Sequence, residues 1–336
     1  MLYRSKIKGL GFYVPDNIVT NDDLSKLMDT NDAWIQERTG IKERRHALKG
    51  TETTTSMGVK ASLKAIEAAQ INKEEIDFIV FATLSPDYYF PGCGVLVQKE
   101  LGLPNVGALD IRNQCSGFIY ALSVADQYIK TGMYKNVLVI GSETQSPALD
   151  MTTRGRNMAV LFGDGAGAAV VSRSDDAQKG ILSTHLHSQG EHAAELAMIT
   201  PGVGTKWVPE ILAENNPDDV SYYPYMNGQF VFKNAVVRFS EVIEEGLKAN
   251  GLTRADINML VPHQANLRIS QFIQHQFKLT DEQVFNNIMK YGNTTAASVP
   301  IALTEAVQQG KIKEGDLVVL AAFGSGFTWA SAIIRW

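Results

Sequence analysis

Cysteine is scarce: only Cys93 and Cys115 occur in 336 residues. Two thiols form at most one disulfide, too thin a framework for a chain this long, and the count rules out a cysteine metal cluster. The six histidines are scattered, and no pair has helix-type ligand spacing with an acidic third ligand. Long hydrophobic runs are missing as well; none approaches the roughly 18 apolar residues that a membrane span needs. The N-terminus, Met-Leu-Tyr-Arg-Ser-Lys-Ile-Lys, is interrupted by charge too often for the apolar core of a secretory signal. Nor is positive charge in excess. The formal net charge is −5, which gives no general attraction to nucleic acid or to anionic lipid. Together these absences predict a chain of the reducing cytoplasm with no nucleic-acid partner, no membrane partner and no bound metal.

What is there is an ordinary globular composition, 45% hydrophobic and 20% charged, in a length that allows one large or two medium domains. One basic run, Lys42, Arg44, Arg45, His46 and Lys49 after Arg38, is interleaved with Glu37 and Glu43. It reads either as a solvated mixed-charge face or as a patch for a phosphate-bearing substrate or an acidic carrier protein.

The chain also carries a faint internal repeat. EIDFIVFAT at 75–83 resembles DINMLVPHQ at 256–264; NVLVIGSE at 136–143 resembles DLVVLAAFGSG at 316–326; GAGAAVV at 165–171 resembles TWASAIIRW at 328–336. Order and rough spacing agree, although apolar runs can look alike by chance. The runs are short, continuous and rich in Val, Ile and Leu. Helix-like stretches at 53–69, 116–130, 235–249 and 297–308 lie between them, the second apolar over most of its circumference. Buried parallel strands with helical crossovers mean α/β layers. The seam falls near 172–180, dividing the chain into 1–175 and 176–336. The stretch 185–229, rich in Gly, Pro, Tyr and Asn, has little period. It is expected to be a long loop that covers or lines a site or forms an oligomer contact.

Three residues stand out chemically. Cys115 lies between a strand at 107–112 and the apolar helix beginning at about Ser116. At a helix N-terminus, free backbone N–H groups and the dipole favour thiolate over thiol, as a nucleophile requires. Cys93, between glycines, reads as a packed helix-start residue. His263 follows the apolar run NMLV and Pro262, at a strand end where α/β folds place their chemistry. Asn293 follows a glycine just before a helix-like segment. Imidazole and amide can each donate a hydrogen bond to one thioester oxygen. Cys, His and Asn are also the papain-like set, but a cysteine before a buried helix in a duplicated α/β pattern argues against a protease. The glycine-rich FGDGAGAA (162–169) and FGSGFTWAS (323–331) fit neither phosphate-loop pattern. They read as tight backbone around an active centre, with an N–H of Gly326 or its neighbour completing an oxyanion hole.

At this point the blocks DAWIQERTGIKERR (32–45), NQCSGFIYALSVADQYIKTG (113–132), LFGDGAGAAVV (161–171), VPHQANLRI (261–269), KYGNTTAAS (290–298) and AAFGSGFTWASAIIRW (321–336) resemble the β-ketoacyl-acyl carrier protein synthase III family of the thiolase-like superfamily. The resemblance runs nearly end to end. It implies an α/β, duplicated five-layered α-β-α-β-α fold, a homodimer, and an acyltransferase of fatty-acid biosynthesis that uses a coenzyme A thioester as substrate with no prosthetic group. The reaction implied is decarboxylative Claisen condensation of an acyl-cysteine with malonyl-acyl carrier protein. By motif position, Cys115 resembles the nucleophile, and His263 and Asn293 the pair that binds the thioester carbonyl. The amides of Cys115 and Gly326 resemble the oxyanion hole. Trp34 and Arg156 resemble the pair that sandwiches adenine. Arg38 and Arg268 resemble phosphate- or carrier-contacting residues, with Asn266 supporting them. Asn227, Phe232 and Lys233 fall where the pantetheine tunnel is lined. Phe90, with Tyr89 beside it, resembles the interface aromatic that enters the partner's acyl channel. Arg112, Asn113 and Gln114 before Cys115, the tyrosines 88 and 89 and the length of 185–229 depart from housekeeping members. They point to an alternative: a ketosynthase or acyltransferase for an alkylquinolone, alkylresorcinol or polyketide product. A non-catalytic subunit is disfavoured by the retained Cys-His-Asn set. A hydroxymethylglutaryl synthase lacks its carboxylate beside the cysteine, and a thiolase lacks its second cysteine.

Overall fold

The computed structural model describes residues 3–176, 178–216 and 218–336. Its strands are β1 (Arg4–Tyr13), β2 (Ile18–Thr20), β3 (Glu43–Arg45), β4 (Phe78–Ala82), β5 (Gly107–Ile111), β6 (Asn136–Glu143), β7 (Gly165–Ser174), β8 (Gly180–Ser188), β9 (Leu196–Ala197), β10 (Tyr225–Met226), β11 (Met259–Pro262), β12 (Leu317–Gly324) and β13 (Thr328–Arg335). One sheet has the order β1-β7-β6-β4-β5 and another the order β11-β12-β13-β8; β2 pairs with β3 and β9 with β10.

The repeat seen in sequence is a repeat of topology. β4 runs parallel to β6, and β6 antiparallel to β7, which pairs with β1. In the second sheet β11 runs parallel to β12, and β12 antiparallel to β13, which pairs with β8. The fifth position, held by β5 in the first sheet, is reduced in the second to an isolated parallel bridge between Leu260 and Val284. The sheets are therefore mixed, not wholly parallel as the apolar runs suggested. Three residues separate β12 from β13, and only a hairpin closes so short a link.

Burial explains why the strands read as unbroken apolar runs: every residue of β4, β11 and β12 is buried. Both faces of each sheet are covered. Two helices, Gly117–Lys130 and Ser298–Gln308, fill the layer between the sheets, and their apolar residues join those of both sheets in one core. Helices Thr54–Ala69 and Cys93–Leu101 cover the outer face of the first sheet. Gly228–Ala249 and Leu267–Phe277 cover that of the second. The result is the expected thiolase-like α-β-α-β-α stack. Cys93 starts its helix and is fully buried.

Two expectations need correction. The 185–229 stretch is not an aperiodic loop. It contains the end of β8, the β9–β10 ladder, helix Val208–Glu214 and the cap of Gly228–Ala249. The basic run is not one surface: Arg44 points inward from β3 and is fully buried, whereas Arg38, Lys42 and Lys49 are exposed. Its guanidinium donates to the carbonyls of Val160 at 2.9 Å and Val19 at 3.2 Å, and burial lowers its pKa to about 10. Arg45 pairs with Glu43 at 3.5 Å.

Candidate active site

The two central helices open on matching turns. Gln114–Ser116 precedes Gly117–Lys130, and Thr295–Ala297 precedes Ser298–Gln308. In each turn the first residue adopts a left-handed backbone without being glycine, Gln114 at φ 43° and Thr295 at φ 46°, a strained conformation that recurs at functional sites. The next residue is Cys115 in one turn and Ala296 in the other.

Cys115 lines a cavity with His263 and Asn293, walled by Leu161, Phe162, Met226, Val231, Phe232, Phe239 and Phe323. The fold thus brings the three sequence candidates to one apolar pocket. Its sulfur meets the backbone N–H groups of Cys115 itself and Ser325. The second amide is that of Ser325, one residue before the Gly326 assigned from the motif; Gly326 sits in the link between β12 and β13 at φ 129°. The expected thiolate is not favoured either. Cys115 lies in the 3₁₀ turn before the helix, and burial, then the charge of Glu143, push its thiol up to about 12. Loss of hydration outweighs the helix dipole here.

His263 follows β11, its backbone N–H bonded to the Ala321 carbonyl at 2.8 Å. Its Nδ1 meets the Ser298 hydroxyl, which accepts from the Gln264 N–H at 3.3 Å. With no other acceptor for the serine proton among the described residues, the network assigns that proton to Nδ1. The imidazole proton then stands on Nε2. Nε2 is buried without a partner, and burial lowers the imidazole pKa to about 3. The ring is a neutral donor. Asn293 is stitched to the 161–163 segment by its N–H to the Leu161 carbonyl at 2.8 Å and by its carbonyl to the Gly163 N–H at 3.1 Å. Its Oδ1 accepts from the Thr295 N–H at 2.9 Å, which leaves the amide Nδ2 to donate.

A glycine admits the sulfur. A Cβ on Gly324 would stand 2.5 Å from Cys115 Cβ and 2.9 Å from its Sγ. Gly324→Ala is expected to cost about 1–3 kcal/mol of stability by overpacking and to slow acylation at least roughly a hundredfold by displacing the sulfur. Thermal unfolding and intact mass after exposure to an acyl thioester measure both; normal acylation of the alanine variant would refute this reading of Gly324.

The remaining candidates divide. Two guanidiniums approach the Trp34 ring, Arg38 at 4.4 Å and Arg156 at 5.1 Å from its centroid. Arg156 also holds the Asp29 carbonyl at 2.5 Å, so an adenine between Trp34 and Arg156 has to part them. Asn266 caps helix Leu267–Phe277, donates to the Arg38 carbonyl at 2.9 Å and lines the cavity. Arg268 is exposed as the second residue of that helix. Phe232 lines the cavity; Asn227 caps Gly228–Ala249 beside it, and Lys233 is exposed outside the lining. Phe90 and Tyr89 are 81% and 80% exposed, away from the cavity of their own chain. Arg112 is exposed just after the end of β5. Sequence reading missed Ser298, Gly324 and Glu143, and reached Ser325 only as a neighbour of Gly326. Among the described residues, no cluster of three or more His, Cys, Asp or Glu could hold a metal ion, and no helix is long and apolar enough to cross a membrane.

Comparison with known proteins agrees with this fold. Family profiles described as 3-oxoacyl-(acyl-carrier-protein) synthase III and its C-terminal part match residues 109–190 and 247–336. A protein of Caldanaerobacter subterraneus subsp. tengcongensis named beta-ketoacyl-(acyl-carrier-protein) synthase III is 46% identical over 330 residues, 98% of this chain and 97% of its own. One of the same name from Rhodospirillum centenum is 45% identical and is covered 100%, as is this chain. The crystal structure of 3-oxoacyl-(acyl-carrier-protein) synthase III from Aquifex aeolicus VF5 superposes with TM-score 0.89 at 44% identity, covering 99% of this chain and 100% of that one. Nothing in these similarities supports a specialised branch, and such complete mutual coverage shows no insertion that sets this chain's length apart.

Proposed function

The chain belongs to the 3-oxoacyl-(acyl-carrier-protein) synthase III family of condensing enzymes, and from that premise we propose that it starts fatty-acid chains. The reaction proposed is condensation of an acyl group from coenzyme A with malonyl-acyl carrier protein. The observation that carries the reading is the convergence of one sulfur, one neutral imidazole and one amide on an apolar cavity.

In the first half-reaction the Cys115 sulfur attacks the thioester carbonyl. The oxyanion faces the N–H groups of Cys115 and Ser325, the C–S bond of the donor breaks, and the departing coenzyme A thiolate takes up the thiol proton. With its thiol pushed up to about 12, Cys115 gives up that proton as the new bond forms rather than beforehand. In the second half-reaction the malonyl thioester loses carbon dioxide. Its carbonyl oxygen, now enolate, is held by His263 Nε2–H and Asn293 Nδ2–H. The enolate carbon attacks the acyl-cysteine, the C–Sγ bond breaks, and the thiolate regains a proton from solvent. Departure of carbon dioxide drives the sequence, so no step calls on a prosthetic group. Trp34, Arg38 and Arg156 at the Asn266 side of the cavity suit an adenine and its phosphates.

We read the active species as a homodimer. β5 is an edge strand, paired with β4 on one side only, with partly exposed side chains, Leu109 at 37%. Tyr88, Tyr89 and Phe90 project from the segment between β4 and helix Cys93–Leu101, which packs on β5. An edge of this kind is a pairing site. A light-scattering mass near 36.8 kDa, not twice that, would exclude the dimer.

The direct test offers acetyl to dodecanoyl coenzyme A donors with malonyl acceptors, free and carrier-bound, and identifies products by mass. A β-keto product on the carrier is expected. Acyl transfer without carbon–carbon bond formation would overturn the reading.

A further inference from the structure

The half-reactions above make no use of Glu143, a fully buried carboxylate at the end of β6. Its place in the repeat is informative. β4 pairs with β6 with Phe78 opposite Val137, and β11 with β12 with Met259 opposite Val318. Counting on from these pairs, Glu143 and Gly324 hold corresponding positions, each ending its antiparallel ladder, opposite Gly165 and Thr328 respectively. Gly324 abuts Cys115 in one half. Glu143 abuts Ala296, the counterpart of Cys115, in the other. Where one half makes room for a sulfur, the other places a charge.

That carboxylate faces only donors. Oε2 accepts from Ser85 Oγ at 2.6 Å, Thr83 Oγ1 at 3.0 Å, Gln145 Nε2 at 3.1 Å and the Ser85 N–H at 3.2 Å. The Leu84 N–H reaches both oxygens, at 3.3 and 3.2 Å. Oε1 accepts from the Ala296 N–H at 3.4 Å. Both hydroxyls are fixed as donors, because Thr83 Oγ1 accepts from the Ser85 N–H at 3.1 Å and Ser85 Oγ from the Thr144 N–H at 2.9 Å. Burial raises the pKa of Glu143 against these bonds. The bonds join two separate segments. Residues 83–85 begin the segment that carries Tyr89 and Phe90. Ala296 belongs to the strained turn whose Thr295 N–H fixes the Asn293 amide.

We propose that Glu143 is a positioning residue that ties the 83–85 segment to the Asn293 turn and so aims the Asn293 amide at the malonyl thioester oxygen. The proposal rests on the condensation reading. It predicts a division between the half-reactions. Acyl transfer uses the Cys115 and Ser325 amides, neither of which Glu143 holds, and the charge of Glu143, which raises the Cys115 thiol, does not help it. Decarboxylation uses Asn293, which it does hold, through Ala296 and Thr295. Glutamine at 143 is a poor substitute: on the Oε2 side its NH₂ meets the Ser85 N–H and Gln145 Nε2, and on the Oε1 side the Leu84 and Ala296 N–H groups.

The test measures Cys115 acylation by intact mass and labelled carbon dioxide release from a malonyl thioester, separately, in Glu143→Gln, Glu143→Asp and Ser85→Ala. In Glu143→Gln, which also removes the charge that raises the Cys115 thiol, acylation is expected to hold or to rise, and decarboxylation to fall roughly thirtyfold or more in kcat, with KM little changed. Glu143→Asp, still an acceptor, should recover part of the loss. Ser85→Ala, which removes one bond and keeps the carboxylate, should lower decarboxylation about three- to tenfold and spare acylation. Equal loss of both half-reactions, or loss of neither, overturns the proposal. If Glu143→Gln does not fold, an unchanged ratio in Ser85→Ala overturns it. A wild-type protein that takes no acyl group from any coenzyme A thioester instead overturns the condensation reading itself.

Discussion

Cys115→Ala is expected to take no acyl group from coenzyme A thioesters and to lose condensation by at least about four orders of magnitude. Among the residues lining the cavity, Cys115 alone offers a nucleophile able to carry an acyl group as a thioester. The two amides that face its sulfur belong to the backbone and survive the substitution, so the variant should still bind substrate. Intact mass after incubation with donor decides the matter: an adduct of acyl mass that persists on the alanine variant sinks the assignment. The elevated thiol makes a second, independent test. With a value pushed up to about 12, alkylation by iodoacetamide should climb roughly tenfold per pH unit from 7 to 10 without levelling. A plateau near neutrality would mean that the helix N-terminus, not burial, governs the sulfur.

The contrast between these two forces shows what the sequence could and could not convey. That a cysteine precedes an apolar helix is legible, since the helix Gly117–Lys130 buries residues around most of its circumference. The repeat was legible for a similar reason. Strands covered on both faces must be apolar throughout, and β4 and β11 carry that mark in like positions. The balance between dipole and desolvation was not legible, because it depends on atoms brought from Phe323, Gly324 and Glu143, far along the chain. The same holds for the oxyanion amide. Gly326 and Ser325 are adjacent, and only the turn between β12 and β13 decides which N–H faces the sulfur. Arg44 was misread since charge in a run suggests surface, whereas the alternation of β3 turns its middle residue inward to two carbonyls. Glu143 did leave a signal: a lone carboxylate ends the wholly buried run of β6. Such a group needs partners, and its donors come from residues 83–85, 145 and 296.

His263→Ala is expected to separate the two chemical steps from the other side. The substitution removes the Nε2–H donor and leaves the Cys115 and Ser325 amides intact, so Cys115 should still accept an acyl group. Malonyl decarboxylation should fall roughly a hundred- to a thousandfold, the usual effect of deleting one donor from an oxyanion site. Asn293→Ala should do similar harm, and the double variant less than the product of the two, because both donors serve one oxygen. The pH profile carries the sign. An imidazole lowered to about 3 is neutral throughout the physiological range, so its proton stays on Nε2 and decarboxylation should show no histidine step between pH 5 and 8. The charged form enters only as pH falls toward 3, where Nδ1 also carries a proton and donates to the Ser298 hydroxyl instead of accepting from it. Release of labelled carbon dioxide measures both effects. A rate unchanged in His263→Ala would remove the imidazole from the decarboxylation step, and a step near pH 6.5 in the wild type would show that solvent reaches the ring and that burial does not hold it neutral.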